Sequence, residues 1–200
     1  MADKTVVNGG KRKRGARAAD VIPMTWCKTM AQVALAERRY SAALAISIGG
    51  ALGLRAGDIS RVLWSDLVDE TGRAKEKVVV RERKNQRTRV VYPMKWAREI
   101  WEACYQALRP MDLAQPAVKM SRQRVWKIVK EMADECGYKG RISSHSLRKA
   151  FCSFLYDQTR DPVLCARLTG HTNPANLLSY IGRSAPVEEN IWRKVATMEI

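Results

Sequence analysis

The chain has 200 residues, 46% of them hydrophobic, which is enough to bury one main core. Its 36 Lys and Arg against 20 Asp and Glu leave a formal charge of +16 and a pI of about 10.0, the footprint of a nucleic-acid binder, shared with ribosomal and membrane-surface proteins. Five cysteines with no Cys-x-x-Cys pair argue against a disulfide scaffold, and the apolar run near Ala42 to Leu54 is too short and glycine-interrupted to span a bilayer, so a soluble intracellular protein is expected.

Residues 1–20 carry Lys4, Lys11, Arg12, Lys13, Arg14 and Arg17 beside Gly9 and Gly10, and read as a basic, disordered arm. It is either a phosphate contact that orders on binding or a solvated tail. From Pro23 to Gly50 the pattern is helical, with Thr25 a candidate N-cap and a second run from Ser41 ending at Gly49-Gly50. Gly53-Leu54-Arg55-Ala56-Gly57-Asp58 follows as a turn into a short helix carried by Ile59, Val62 and Leu63. Arg55 therefore stands where a side chain meets a ligand near a positive helix start.

Beyond Trp64 the period shortens. Val78-Val79-Val80, a basic segment with a turn at Asn85 and Gln86, and Val90-Val91-Tyr92 before Pro93 predict a β-hairpin. Arg81, Arg83, Lys84, Arg87 and Arg89 would lie along it as cations for a phosphate backbone. Ala97, Ile100, Trp101, Cys104 and Leu108 then form one helical stripe. Val125, Ile128, Val129, Met132 and Cys136 form another, capped by Ser121 and stopped at Gly137. Arg122, Arg124, Lys127 and Lys130 occupy the polar face of that second helix, either a DNA-contacting face or a solvated one. Residues 186–200 hold Val187, Ile191, Trp192 and Val195 at helical spacing, a terminal amphipathic helix.

Chemistry concentrates between Ser144 and Tyr180. The two histidines of the chain fall there, in His145-Ser146-Leu147-Arg148 and Leu168-Thr169-Gly170-His171, with Tyr180 nine residues on. Arginines donate bidentate hydrogen bonds to phosphate oxygens without losing their protons, and histidines donate or carry protons near neutral pH. The combination fits a site built around one phosphodiester.

With Arg55 and Lys84 upstream, the ordered set over roughly residues 41–184 resembles the catalytic domain of tyrosine recombinases, the phage integrase family. Gly53-Leu54-Arg55 with Asp58 resembles the first arginine box and Lys84 the hairpin lysine. His145 to Arg148 resembles the His-x-x-Arg box, and His171 and Tyr180 resemble the last histidine and the nucleophile. The resemblance implies a mostly helical α+β fold with a small antiparallel sheet over residues 21–185. It implies a site-specific DNA recombinase that cleaves and rejoins DNA through a 3′-phosphotyrosyl link, with integration, excision and inversion left open. Arg55 and Arg148 would hold the nonbridging oxygens, and His145 and His171 would add hydrogen bonds or shuttle a proton. Tyr180 would attack, Lys84 would protonate the leaving 5′-oxygen with Lys75 and Lys77 as rivals, and Asp58 would hold Arg55 or His145. Bond energy stays in the covalent link, so no cofactor or metal is expected.

The implied partners are double-stranded DNA, further copies of the chain in a tetramer joined by residues 186–200, and accessory DNA-bending proteins, in a cytoplasmic, nucleoid-associated setting. A type IB topoisomerase and a noncatalytic DNA-binding protein on the same fold are the alternatives. Two features depart from the family pattern: about 50 residues precede Arg55, too few for a separate DNA-binding domain, and Lys149 stands where many relatives have another histidine. The first suggests a catalytic fragment or a compact form similar to fimbrial-type DNA invertases.

Overall fold

A computed structural model describes residues 20–82 and 87–182. Residues 1–19 of the arm, Arg83 and Lys84 with the expected turn at Asn85 and Gln86, and the terminal segment 186–200 lie outside the described residues. Nine helices and one two-stranded sheet are described: α1 (Met24–Ala36), α2 (Tyr40–Leu52), α3 (Ala56–Ile59), α4 (Trp64–Leu67), β1 (Val78–Glu82), β2 (Arg87–Val91), α5 (Lys95–Leu108), α6 (Arg122–Glu135), α7 (Ser146–Thr159), α8 (Pro162–Thr169) and α9 (Pro174–Tyr180). This is the mostly helical α+β architecture expected from the sequence. None of the described helices is long and apolar enough to cross a membrane.

The centre of the molecule is α2. Every residue from Ala42 to Leu52 is buried, as befits a helix apolar on all sides, and it packs against α1, α5, α6 and α7. Its polar Ser47 is satisfied by donating to the Leu44 carbonyl and accepting from Trp101 Nε1 at 3.0 Å. The expected stop at Gly49-Gly50 is corrected by packing: the helix runs on to Leu52. A Cβ on Gly49 would sit 2.5 Å from Leu147 Cδ1 and 2.9 Å from Ile59 Cδ1, so glycine there lets α7 and α3 approach. The chain turns instead at Gly53, whose φ of 62° is left-handed and whose Cβ would strike the Phe151 ring at 2.2 Å.

Two other local expectations shift. Helix α1 begins at Met24 after Pro23, whose carbonyl accepts from Trp26 at 3.0 Å, so Thr25 lies inside the helix rather than capping it. Leu108 is exposed, because it is the last residue of α5 and the chain leaves the core face at Arg109 with φ 42°. Ser121 caps α6 as read, accepting from Arg124 N at 3.2 Å.

Strands β1 and β2 pair antiparallel from Val78 opposite Val91 to Glu82 opposite Arg87. Along β1 burial alternates, so Val78, Val80 and Glu82 all face inward. A two-stranded ribbon is marginal alone, and this one is held by Val78, Val80 and Val91 in the main core.

That main core gathers α1 to α6, the hairpin and the first half of α7. A second, smaller cluster joins Cys152 and Tyr156 of α7 to Cys165, Ala166, Leu177, Leu178 and Ile181. Helix α7 thus belongs to both. The five cysteines are free; four are buried and Cys136 is half-buried. Burial raises every thiol pKa, to about 12 for Cys27 and Cys104 and about 11 for Cys152.

Candidate active site

Four polypeptide turns bring the predicted residues to one face. Gly53 sends the chain back so that Arg55 becomes the residue before α3; His145 precedes α7 and puts Arg148 one turn in. Gly170, left-handed at φ 72°, ends α8 and points the next residue, His171, inward. Tyr180 is the last residue of α9, a helix begun by Asn173 accepting from Ala175 N at 2.8 Å.

At the bottom lies Glu82, which no motif singled out. It is 2% exposed and is shared by three arginines from three elements. Its Oε2 accepts from Arg55 Nη1 at 2.5 Å, and its Oε1 from Arg148 Nη1 at 3.0 Å and Arg89 Nε at 3.1 Å. Burial alone would raise the carboxyl pKa, but the Arg148 charge and the hydrogen bonds from Arg148 and Arg55 carry it net downward. Gly170 lies against it, since a Cβ there would stand 3.4 Å from Oε1. Arg148, also 2% exposed, is fixed further by donating to the Gly53 carbonyl at 2.8 Å and the Thr169 carbonyl at 2.6 Å. Planar donors held this way cannot swing out to solvent.

Arg89 was expected on the hairpin's DNA-facing edge, and the structure corrects this. Its guanidinium turns inward, onto Glu82, the Leu52 carbonyl and the Phe151 ring 5.8 Å away, because strand alternation leaves that side chain against the core. Burial lowers its pKa, opposed by the Glu82 charge. Arg81 and Arg87 are exposed on the hairpin. On α6, Arg122 shares a cleft with Arg55, Asp58, Arg61, Ser144 and His145, whereas Arg124 and Lys127 lie within 3.9 and 3.7 Å of Glu131. The α6 residue that enters the site is thus the one at its start. Asp58 is buried beside the same cleft, and Glu82 accepts a hydrogen bond from Arg55.

Above the arginines stand the histidines and Tyr180. The Tyr180 hydroxyl donates to the His145 backbone carbonyl at 3.3 Å, and its ring lies 5.3 Å from that of His171 and 6.3 Å from that of His145. Lys149 Nζ is 5.7 Å from the centre of the same ring. Burial raises the Tyr180 pKa, more than Arg148 and Arg55 lower it. His145 is pulled below its ordinary value by burial and by Arg122, Arg55 and Arg148. His171 is pulled to about 4, chiefly by burial and then by Arg148 and Arg55. At about 4, the His171 pKa leaves that ring neutral at neutral pH.

Arg55, His145, Arg148, His171 and Tyr180 are thus brought together, while Lys84 falls outside the described residues. Sequence reading missed Glu82 and Thr169. The alternation in β1 carried the signal for the first: counting inward from Val78 and Val80 reaches a carboxylate, and a buried acid needs cations around it. Among the described residues no group of His, Cys, Asp and Glu is placed to hold a metal ion.

The model of the phage integrase family matches residues 23–185, which is most of the chain. The chain belongs to the phage integrase family. Among curated relatives, this integrase-family chain is 35% identical over 63 residues to the probable integrase/recombinase YoeC of Bacillus subtilis, which is 32% of the chain and 34% of YoeC. It is 28% identical over 74 residues to the tyrosine recombinase XerD of Corynebacterium glutamicum, 37% of the chain and 24% of that relative. The matched stretch spans about a third or less of either. Its fold is that of XerA recombinase, with a TM-score of 0.62 at 18% identity over 94% of this chain and 66% of that one. It is also that of the lambda integrase(75–356) dimer bound to a COC′ core site, with 0.61 at 18% identity over 88% and 65%.

Proposed function

We propose that the chain carries the catalytic centre of a site-specific DNA recombinase that cleaves and rejoins DNA through a 3′-phosphotyrosyl intermediate. The observation that carries this reading is the gathering of one tyrosine, with its ring near both histidine rings, at the site where two arginines are tied to a buried carboxylate. Three guanidinium groups around Glu82 leave two positive charges. A phosphodiester brings one negative charge and its five-coordinate transition state two, so the site matches the transition state better than the ground state.

In this reading Arg55 and Arg148 hold the nonbridging oxygens. Tyr180 Oη forms the bond to phosphorus as the bond to the 5′-oxygen breaks, and Lys84 protonates that oxygen. Arg122, Arg81 and Arg87 contact the flanking backbone, with Arg83, Arg124 and Lys127 as further contacts. Double-stranded DNA is the substrate. Strand exchange needs further copies of the chain, assembled on DNA as a tetramer with residues 186–200 as the link and accessory bending proteins as helpers. Whether exchange integrates, excises or inverts depends on where the target sites lie.

The test is capture of a covalent protein–DNA adduct on nicked duplexes drawn from DNA flanking the gene, with wild type beside Tyr180→Phe. An adduct that disappears in the variant supports the reading. Tight binding without any adduct would favour a noncatalytic DNA-binding protein or a catalytic fragment that needs a further DNA-binding domain.

A further inference from the structure

Tyr180 meets the first turn of α7 at three points. Its hydroxyl donates to the His145 carbonyl at 3.3 Å, its ring stands edge-on to the His145 ring at 6.3 Å, and the Lys149 ammonium lies over its face, 5.7 Å from the centre. The same carbonyl accepts from Lys149 N at 2.8 Å, so His145 and Lys149 are joined across one helical turn and meet the tyrosine together.

These contacts respond differently to attack on phosphorus. The bond to the His145 carbonyl uses the phenol proton, and that proton is lost once Oη bonds to phosphorus. The ammonium acts on the face of the ring and needs no proton from the tyrosine, so this contact survives the step. Helix α9 adds little hold of its own: it has 7 residues, ends at Tyr180, and buries Leu177 and Leu178 while Tyr180 itself stays half-buried. A helix that short sets the place of its last residue loosely, which leaves the ring contacts to decide it.

We propose that Lys149 is a positioning residue that seats the Tyr180 ring in the site through its ammonium, holding the nucleophile while the hydroxyl leaves the His145 carbonyl. This rests on the recombinase reading above. Lys149 forms no bond and passes no proton in this role. Position 149 is where the chain departs from the family pattern, and the departure fits the role: lysine carries a full charge on a flexible four-carbon stem, and charge is what the ring face attracts. The competing use of such a cation is a contact to the DNA backbone.

Two variants separate these uses. Lys149→Met keeps an unbranched stem and removes the charge, whereas Lys149→Arg keeps the charge and stacks on aromatic rings. Carbon-13 spectra of the full-length chain labelled in its tyrosine rings read the seat without DNA, with Tyr180→Phe assigning one signal of the 6 tyrosines. Lys149→Met should move the Tyr180 signal, and Lys149→Arg should leave it nearer to wild type. In single-turnover cleavage at saturating nicked duplex, Lys149→Met should be slower by on the order of 5-fold, the worth of a half-exposed cation–ring contact, with duplex affinity and its salt dependence unchanged. Lys149→Arg should recover most of that rate. A Tyr180 signal unmoved by Lys149→Met would overturn the proposal, as would a loss of affinity with the saturated rate unchanged, which would make Lys149 a phosphate contact. An adduct absent from wild type would sink the recombinase reading, and the spectrum of the free protein would keep that failure apart from loss of the seat.

Discussion

The two halves of the site are held in different ways. The arginine half sits on the main core: Arg148 and Glu82 are each 2% exposed, their hydrogen bonds run to three elements and two carbonyls, and α2 lies directly beneath. The half that carries Tyr180 rests on the seven buried residues of the smaller cluster and on few hydrogen bonds, among them one between Thr169 and His171 and one from Tyr180 to a backbone carbonyl. In the proposed mechanism the charges that stay in place are the embedded ones, and the tyrosine that would approach phosphorus is held by fewer hydrogen bonds. The contrast teaches that transition-state electrostatics need preorganisation, while the nucleophile needs freedom to change partners.

The contrast breaks most severely at Glu82. Glu82→Leu leaves three arginines facing one another in a dry site and should cost about 3–5 kcal/mol in denaturant unfolding, as removal of one partner from a buried ion network does. Adduct formation should fall with it. Leu177→Ala hollows the small cluster and should cost about 2–4 kcal/mol by the transfer and cavity terms. Hydrogen exchange should then accelerate in α8 and α9 before it does in α2; uniform acceleration would mean that the two halves unfold as one.

A smaller effect should appear on acidification. The folded pKa of His171, about 4, lies below its unfolded value of 6.5, so between those values the unfolded chain binds more protons and stability falls as pH falls. His171→Gln should flatten that part of the pH profile, whereas a profile unchanged in shape would assign the acid sensitivity elsewhere. The smallest effect is expected at Arg124→Ala. Its surface pairing with Glu131 at 3.9 Å should be worth less than about 1 kcal/mol, and the loss should show as weaker DNA binding at low salt.

Much of this was legible in the chain. The stripes of α5 and α6, the Ser121 cap and the hairpin come from local periodicity and capping, which sequence displays directly. The residues of the site could be named because Arg55, His145, Arg148, His171 and Tyr180 stand in ordered short motifs. Glu82 and Arg89 were misjudged for one reason: a run of charged residues reads as a solvated edge until the pairing register decides which face each occupies. Gly49 was read as a stop because its role is to admit Leu147, nearly a hundred residues away. Thr169 passed unnoticed since its carbonyl and hydroxyl acquire meaning only once Arg148 and His171 stand beside them.

The buried cysteines have a practical consequence. With four thiols buried, Cys136 half-buried and all five shifted toward the protonated form, the protein is poorly reactive toward alkylating reagents in its folded state. One new cysteine placed at the exposed Arg81 or Lys127 would accept a fluorophore in preference to the native five, giving a ready optical report of where the duplex lies.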